Sequence, residues 1–195
     1  MAYDAVLFDL DGTLWDSAPW YAALLEADAE AQERLTIALR SGEPGHSAAK
    51  LLRRAGYTNS SFTQRCKTRG ESLRLFEGAA ETLVSLQAAG VRLGAVTNLP
   101  RWVAEPMLRE SRVTPLCQVL ATWRPGKGKP KPDLLLEAVT ELATPASRAV
   151  YIGDSPTDAL AADAAGMRFL WASWGYGETS PPGCDVLGSW TELLA

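Results

Sequence analysis

The stretch Val6-Leu7-Phe8-Asp9-Leu10-Asp11-Gly12-Thr13-Leu14 decides the reading of this chain, because an apolar run of strand type ends in two carboxylates on alternate residues. Residues i and i+2 of a strand point the same way, so Asp9 and Asp11 face one pocket if extended geometry persists to Asp11. Gly12 then lets the backbone turn sharply. Asp and Gly are also ordinary turn residues, and by itself the phrase reads equally well as a polar turn after a buried strand. Two anions crowded at one site repel each other and lose hydration. A hard divalent cation with oxygen ligands relieves both effects, and Mg2+ is the usual choice beside phosphates.

The rest of the chain is long enough to give this motif a core. Its 195 residues suffice for one domain carrying an insertion. Hydrophobic residues make up 47% and charged residues 22%, a balance that suits a folded chain and excludes a disordered one. The net charge of −4 argues against a nucleic-acid partner held by general electrostatics, and leaves room for an anionic substrate in a cleft dominated by a metal and local cations. Cys66, Cys117 and Cys184 are few, widely spaced and odd in number. They fit neither a disulfide framework nor a zinc cluster and favour a reducing compartment. No apolar run reaches the ~18 residues of a membrane span, and no basic-plus-apolar leader precedes the first strand. No membrane partner and a cytoplasmic location are therefore expected.

Downstream of the motif the pattern becomes helical. Trp20, Leu24, Ala27, Ala31, Leu35 and Leu39 recur at three- and four-residue steps and predict one long amphipathic helix. Ser41-Gly42-Glu43-Pro44-Gly45 interrupts it, residues 47–55 predict a second helix ending at Gly56, and 60–75 a third with a weak point at Gly70. Residues 16–76 thus read as an all-helical insertion, with 1–15 and 77–195 forming the surrounding domain. From Gly78 onward helix and strand alternate: helix 79–89, strand 92–97, helix 101–109 disturbed by Pro106, strand 118–121, helix 133–142, strand 149–152, helix 156–165 and strand 168–172. Ser189-Trp190-Thr191-Glu192 matches a capping box for a terminal helix. Such alternation implies parallel strands joined by right-handed crossovers, hence a three-layer, Rossmann-like α/β core. Sites in these sheets lie beyond the carboxyl ends of the strands, so the residues after Phe8, Val96, Ala121 and Ile152 are expected to converge.

The phrase 8–14 closely resembles the first signature of the haloacid dehalogenase (HAD) superfamily, whose members mostly hydrolyse phosphate monoesters through an aspartyl-phosphate intermediate. Three later stretches match in the family's order. Thr97 and Asn98 follow a strand and precede a helix, the position of a phosphate seat in which a hydroxyl and helix N-terminal amides bind anionic oxygens. An N-cap or strand-end turn is the competing reading for this pair. Lys129-Pro130-Lys131-Pro132 has the Lys-Pro-x-Pro pattern that HAD phosphatases place before a helix, which implies that Lys129 neutralises phosphoryl oxygens. A solvated basic loop competes here, with Lys127 or Lys131 taking the role in another register. Gly126-Lys127-Gly128-Lys129 lacks the Walker A spacing and its Ser/Thr, so it is not a P-loop. Gly153-Asp154-Ser155-Pro156-Thr157-Asp158 matches the family's Gly-Asp-x-x-x-Asp signature.

The resemblance implies a Mg2+ site made by Asp9, Asp154 and the backbone carbonyl of Asp11, with Asp158 orienting Lys129 or a metal-bound water. A helix-dipole partner is the alternative for Asp158. An acidic residue at the place of Asp11 resembles phosphatases and phosphomutases; dehalogenases lack it and transport ATPases carry threonine. The implied chemistry is in-line attack by Asp9, with Asp11 as general acid and then base, and with Mg2+, Thr97 and Lys129 stabilising the equatorial oxygens. His46, the one histidine, falls in the insertion and gives little support to histidine-based hydrolysis; a surface or helix-capping place is expected for it. The insertion resembles the helical cap of the phosphoglycolate-phosphatase-like branch, which closes over the site and selects the leaving group, though it is short for that branch. Lys50, Arg53, Arg54, Lys67 and Arg69 are its candidates for contact with a carboxylate or second phosphate. The run 171–178 resembles the aromatic-glycine loop after the last core strand, and its rings suit core packing equally. The expected function is a Mg2+-dependent phosphatase of a small phosphorylated metabolite. A sugar phosphomutase of the same branch and a catalytically silent binding or regulatory module are its rivals.

Overall fold

Strand β1, Ala5–Phe8, lies at the middle of a six-stranded parallel sheet and sends alternate side chains into two separate cores. Val6 and Phe8 join one apolar cluster, and Ala5 and Leu7 the other. The computed structural model describes residues 3–24, 48–69, 73–111 and 113–194, together with 30, 33, 37 and 39. After β1 come β2 (Trp15–Asp16), α1 (Ala18–Leu24), α2 (Ala48–Arg54), α3 (Asn59–Arg69) and β3 (Arg74–Leu75). The alternating part follows with α4 (Ala79–Ala88), β4 (Arg92–Pro100), α5 (Arg101–Glu110), β5 (Val119–Trp123), α6 (Asp133–Glu141) and β6 (Ala149–Gly153). It ends with α7 (Pro156–Ala164), β7 (Arg168–Ala172), β8 (Asp185–Leu187) and a 3-10 turn at Trp190–Leu194.

The sheet order is β5-β4-β1-β6-β7-β8, and every neighbouring pair is parallel. Helices α4 and α5 and Trp190 cover one face, through Leu83, Leu86, Val103 and Met107. Helices α6 and α7 cover the other, through Leu134, Leu135, Ala138, Ala161 and Ala162. This is the three-layer α/β arrangement expected from the alternation of elements. Register then sets the site: Phe8 pairs with Ala95 of β4 on one side and Ile152 of β6 on the other, so Asp9, Thr97 and Asp154 all emerge at the same carboxyl edge. A register shift between Thr97 and Pro100 frees the end of β4 from regular pairing with β5.

Between β1 and α4, β2 and β3 pair antiparallel, Trp15 opposite Leu75 and Asp16 opposite Arg74. Helix α3 packs on α5: the buried Phe62 ring stands edge-on to Trp102 at 5.5 Å and to Trp20 at 5.9 Å. The Arg53 guanidinium lies 4.2 Å over the Trp102 ring. Leu52, Phe62 and Cys66 thereby share one apolar cluster with Val103 and Met107.

Several elements differ from the sequence expectation. Of the helix expected over 60–75, Asn59–Arg69 is helical and Arg74–Leu75 is strand, so the insertion read as all-helical carries a short β2–β3 ribbon at its ends. Strand β8 had no sequence signal, because three residues with two exposed side chains carry no readable period. The terminal capping box does not form. Ser189 Oγ pairs with Thr191 Oγ1 at 2.9 Å, and Glu192 Oε2 accepts from the Gly188 amide at 3.0 Å, so the segment winds as a 3-10 turn. Much of the second half of the helix expected between Trp20 and Leu39, the break at 41–45 and His46 lie outside the described residues.

Candidate active site

Asp9 is the first residue beyond β1, and its amide still donates to Ile152 O at 2.9 Å, which fixes the chain where the strand ends. Its carboxylate is buried. Oδ1 lies 2.8 Å from Lys129 Nζ, yet receives no hydrogen bond of acceptable angle. Lys129 is itself only 2% exposed and binds Asp158 Oδ1 at 2.6 Å and Tyr151 Oη at 2.9 Å. Tyr151 Oη in turn donates to Asp158 Oδ1 at 2.7 Å. Burial opposes the charge on Lys129, but Asp158 and Asp9 outweigh it and raise its pKa above the ordinary lysine value. Burial also holds the Asp9 carboxyl well above the usual range; Lys129 pulls it down, and Asp158 and Asp154 push it further up.

The three lysines of the loop are placed differently. Lys127 pairs with Glu137 and Lys131 Nζ donates to Gly126 O, both at the surface. Lys129 is held inward by Asn98, whose Oδ1 accepts from the Lys129 amide at 2.8 Å and whose Nδ2 donates to the Lys129 carbonyl at 3.0 Å. Asn98, expected to contact phosphate, uses its side chain to clamp the Lys129 backbone. Gly128 makes that approach possible, because a Cβ there would come within 2.5 Å of Trp123 and 3.1 Å of Asn98 Oδ1. Thr97 is 2% exposed at the same edge, and its Oγ1 accepts from Leu99 N at 3.1 Å, a strand-end turn that still leaves the hydroxyl proton to give.

Asp158 has both oxygens engaged. Oδ2 accepts from Ser155 N at 3.0 Å and from Ser155 Oγ at 2.6 Å, closing a capping box at the start of α7. Its sequence alternatives are both realised in one carboxylate: it caps a helix with one oxygen and orients Lys129 with the other.

Asp154 sits beyond β6. Oδ1 accepts from Thr13 Oγ1 at 2.8 Å and Oδ2 from the Tyr176 amide at 2.7 Å. Burial and the nearby Asp158 charge push its pKa up to about 7. The loop that carries Tyr176 fits because its neighbours are glycines: a Cβ on Gly175 would lie 2.2 Å from Asp154 Cβ, and one on Gly177 1.9 Å from Asp154 O. Gly12, at φ +82°, meets Asp154 Oδ2 in the same way, at 2.3 Å. Thr13 O accepts from the indoles of Trp174 at 2.9 Å and Trp190 at 3.1 Å. Thr13, Tyr151, Ser155 and Tyr176 are thus site residues that sequence reading missed. Among them only Tyr176 had a signal, the glycines spaced around it.

Asp11 is placed differently. Its Oδ1 accepts from Trp15 Nε1 at 2.9 Å, on the side of β2 and α1 rather than on the lysine side. Burial raises its pKa, with Ser17, Trp15, the Lys129 charge and Tyr21 pulling the other way.

Asp9, Asp154 and Asp158 bring carboxylate oxygens within 4.8 Å of one another. Asp158 is occupied by Lys129, Tyr151 and Ser155, which leaves Asp9 and Asp154 as the pair for a cation. The fit is good: Asp9 Oδ1 is a buried carboxylate oxygen with no hydrogen bond beyond its ion pair with Lys129, and Asp154 is fixed by two donors as a ligating carboxylate usually is. Two desolvated oxygen donors suit a hard divalent ion.

A parallel sheet with buried aspartates and a lysine gathered at its carboxyl edge places the site where open α/β sheets bind their ligands, with a cation suited to an anionic one. The family model for haloacid dehalogenase-like hydrolases matches residues 6–172, and the chain belongs to that family. A phosphoglycolate phosphatase of Xanthomonas campestris pv. campestris is 35% identical over 185 residues, spanning 88% of this chain and 84% of that protein. One from Pseudomonas syringae pv. tomato is 31% identical over 194 residues, spanning 90% and 71%. Among solved structures, CbbY from Rhodobacter sphaeroides in complex with phosphate superposes with a TM-score of 0.72 at 26% identity, covering 98% of this chain and 96% of that one. A mutant of the same protein is similar at a TM-score of 0.71 and is bound to xylulose-(1,5)bisphosphate. The chain is a phosphatase. Among the described residues no helix is long and apolar enough to cross a membrane.

Proposed function

We propose that this phosphatase hydrolyses a small phosphate monoester through an aspartyl phosphate on Asp9. The observation that carries the reading is the unequal treatment of two neighbouring carboxylates. Asp9 faces the Lys129 ammonium at 2.8 Å, whereas Asp11 turns its Oδ1 to a neutral donor, the Trp15 indole. The first is suited to remain an anion and attack, the second to hold a proton and release it.

In the first step an Asp9 oxygen forms a bond to phosphorus as the bond from phosphorus to the leaving oxygen breaks, and Asp11 gives that oxygen its proton. In the second, Asp11 takes a proton from water, whose oxygen attacks phosphorus and releases Asp9. Lys129 and the Thr97 hydroxyl balance charge on the transferring phosphoryl group, while Asn98, Tyr151 and Asp158 hold Lys129 in place. Asp9, Asp154 and the Asp11 carbonyl would hold Mg2+, which when bound neutralises phosphoryl oxygens and aligns them for in-line transfer. Residues 16–76 serve as the lid that admits the substrate. The relatives named as phosphoglycolate phosphatases support a short phosphorylated acid, and the xylulose bisphosphate bound to a structural neighbour adds sugar phosphates to the candidates. Cys66, Cys117 and Cys184 are free thiols, which supports action in the reducing cytoplasm.

The test is phosphate release from a panel led by 2-phosphoglycolate and sugar phosphates, with Mg2+. Turnover is expected to vanish with EDTA, to return on adding Mg2+, and to fall by about 10⁴ or more in Asp9→Asn. Full turnover by Asp9→Asn would overturn the nucleophile assignment, and metal-independent turnover would overturn the Mg2+ assignment.

A further inference from the structure

Trp15 is wholly buried, but its indole N–H is not sealed in apolar packing: it reaches Asp11 Oδ1 at 2.9 Å. The backbone aims it there. Trp15 N donates to Leu10 O at 3.1 Å and Gly12 N to Trp15 O at 3.0 Å, so the chain from Leu10 to Trp15 closes into a tight loop that brings the ring back over Asp11. On its far side Trp15 pairs with Leu75 in the β2–β3 ribbon, which holds the residue from both directions. The indole therefore has one orientation and one acceptor. A carboxyl with a fixed donor on Oδ1 keeps its own proton on Oδ2, so the donor chooses which oxygen is the acid as well as which rotamer the side chain adopts.

We propose that Trp15 is a positioning residue for proton transfer to the leaving group: its indole N–H holds Asp11 in the rotamer from which the Oδ2 proton is delivered. This rests on the reading of Asp11 as general acid. In the step concerned the Asp11 O–H bond breaks and an O–H bond to the departing oxygen forms as the bond from phosphorus to that oxygen breaks. An alkyl leaving group needs that proton, and an aryl leaving group departs readily as the anion.

The experiment compares kcat/KM for one aryl phosphate and one alkyl phosphate, with Mg2+, in wild type, Trp15→Phe and Asp11→Asn. The comparison uses kcat/KM because it reports on transfer from substrate and is blind to later hydrolysis of the phosphoenzyme. If Asp11 is the acid, Asp11→Asn lowers the alkyl value far more than the aryl value, by a ratio of about 10² or more. Trp15→Phe keeps an aromatic ring and removes the donor, and the packing it loses acts on both substrates alike. It is expected to lower the alkyl value about tenfold more than the aryl value, a fraction of the general-acid contribution. Equal loss on both substrates in Trp15→Phe, with Asp11→Asn still selective, overturns the role of Trp15 and leaves Asp11 as the acid. A non-selective Asp11→Asn overturns the reading of Asp11 itself.

A second measurement covers the case in which Trp15→Phe does not fold. In the wild-type spectrum of nitrogen-15-labelled protein, the Trp15 indole N–H is expected to exchange slowly and downfield, and to move upfield in Asp11→Ala. An indole signal indifferent to Asp11→Ala contradicts the proposal.

Discussion

Two sides of one cleft are built on opposite principles. On the lysine side, Lys129 is enclosed by Asp9, Asp158, Tyr151 and the Val96 carbonyl, and its backbone is clamped by Asn98. Asp9, Lys129, Asp158 and Tyr151 are buried, and Asn98 is half-buried. On the other side Asp11 is partly exposed, and its donor, the Trp15 indole, comes from the short strand β2 beside the start of the insertion. The contrast teaches a division of labour. Groups whose charge must stay constant are over-determined by the sheet, whereas the group that must gain and lose a proton is held by a neutral donor on a local loop.

The sharpest way to break this comparison is to remove one member from each side. Lys129→Met leaves Asp158 and Asp9 without their counter-charge, so it is expected to cost about 3–5 kcal/mol of stability as well as nearly all activity. Asp11→Asn is expected to lose about 10²–10⁴ in turnover of an alkyl phosphate while thermal unfolding stays within a few degrees of wild type. If the two variants were equally destabilised, the division would be false. Next in size, Gly175→Ala drives a methyl group against Asp154. Its expected signature is about tenfold or greater weakening of Mg2+ affinity, measured by calorimetry, with little change in the lysine cluster. Tyr151→Phe is the mildest probe. It removes one hydroxyl from a network that keeps its ion pairs, and a loss of about 1 kcal/mol in denaturant unfolding with only a few-fold fall in kcat is expected.

Strands β1 and β4 to β7, the helices from 79 onward and the phrases that hold the four motif aspartates were legible because each depends on a local period or a contiguous stretch. Contacts made across the chain were not. Thr13 reaches Asp154 over 141 positions, Asn98 reaches Lys129 over 31, and neither pairing leaves a trace in spacing. Asn98 shows what position alone leaves out: it stands next to Thr97 at a strand end, and only the fold shows its side-chain amide bracketing the Lys129 backbone. The choice among Lys127, Lys129 and Lys131 likewise needed burial, which separates one enclosed ammonium from two surface ones. Tyr176 was half legible. The glycines at 175 and 177 were visible, but only the fold shows that they exist to let the backbone approach Asp154.

The central claim is that the Asp9 carboxylate itself becomes phosphorylated. Asp11→Asn turning over an aryl phosphate in Mg2+ should form the intermediate and hydrolyse it slowly, so acid quenching followed by borohydride reduction and peptide mass spectrometry tests the claim directly. Conversion of Asp9, and of no other aspartate, to homoserine is the predicted result. An unreduced Asp9 under continued turnover, or reduction at Asp154 or Asp158 instead, would contradict it.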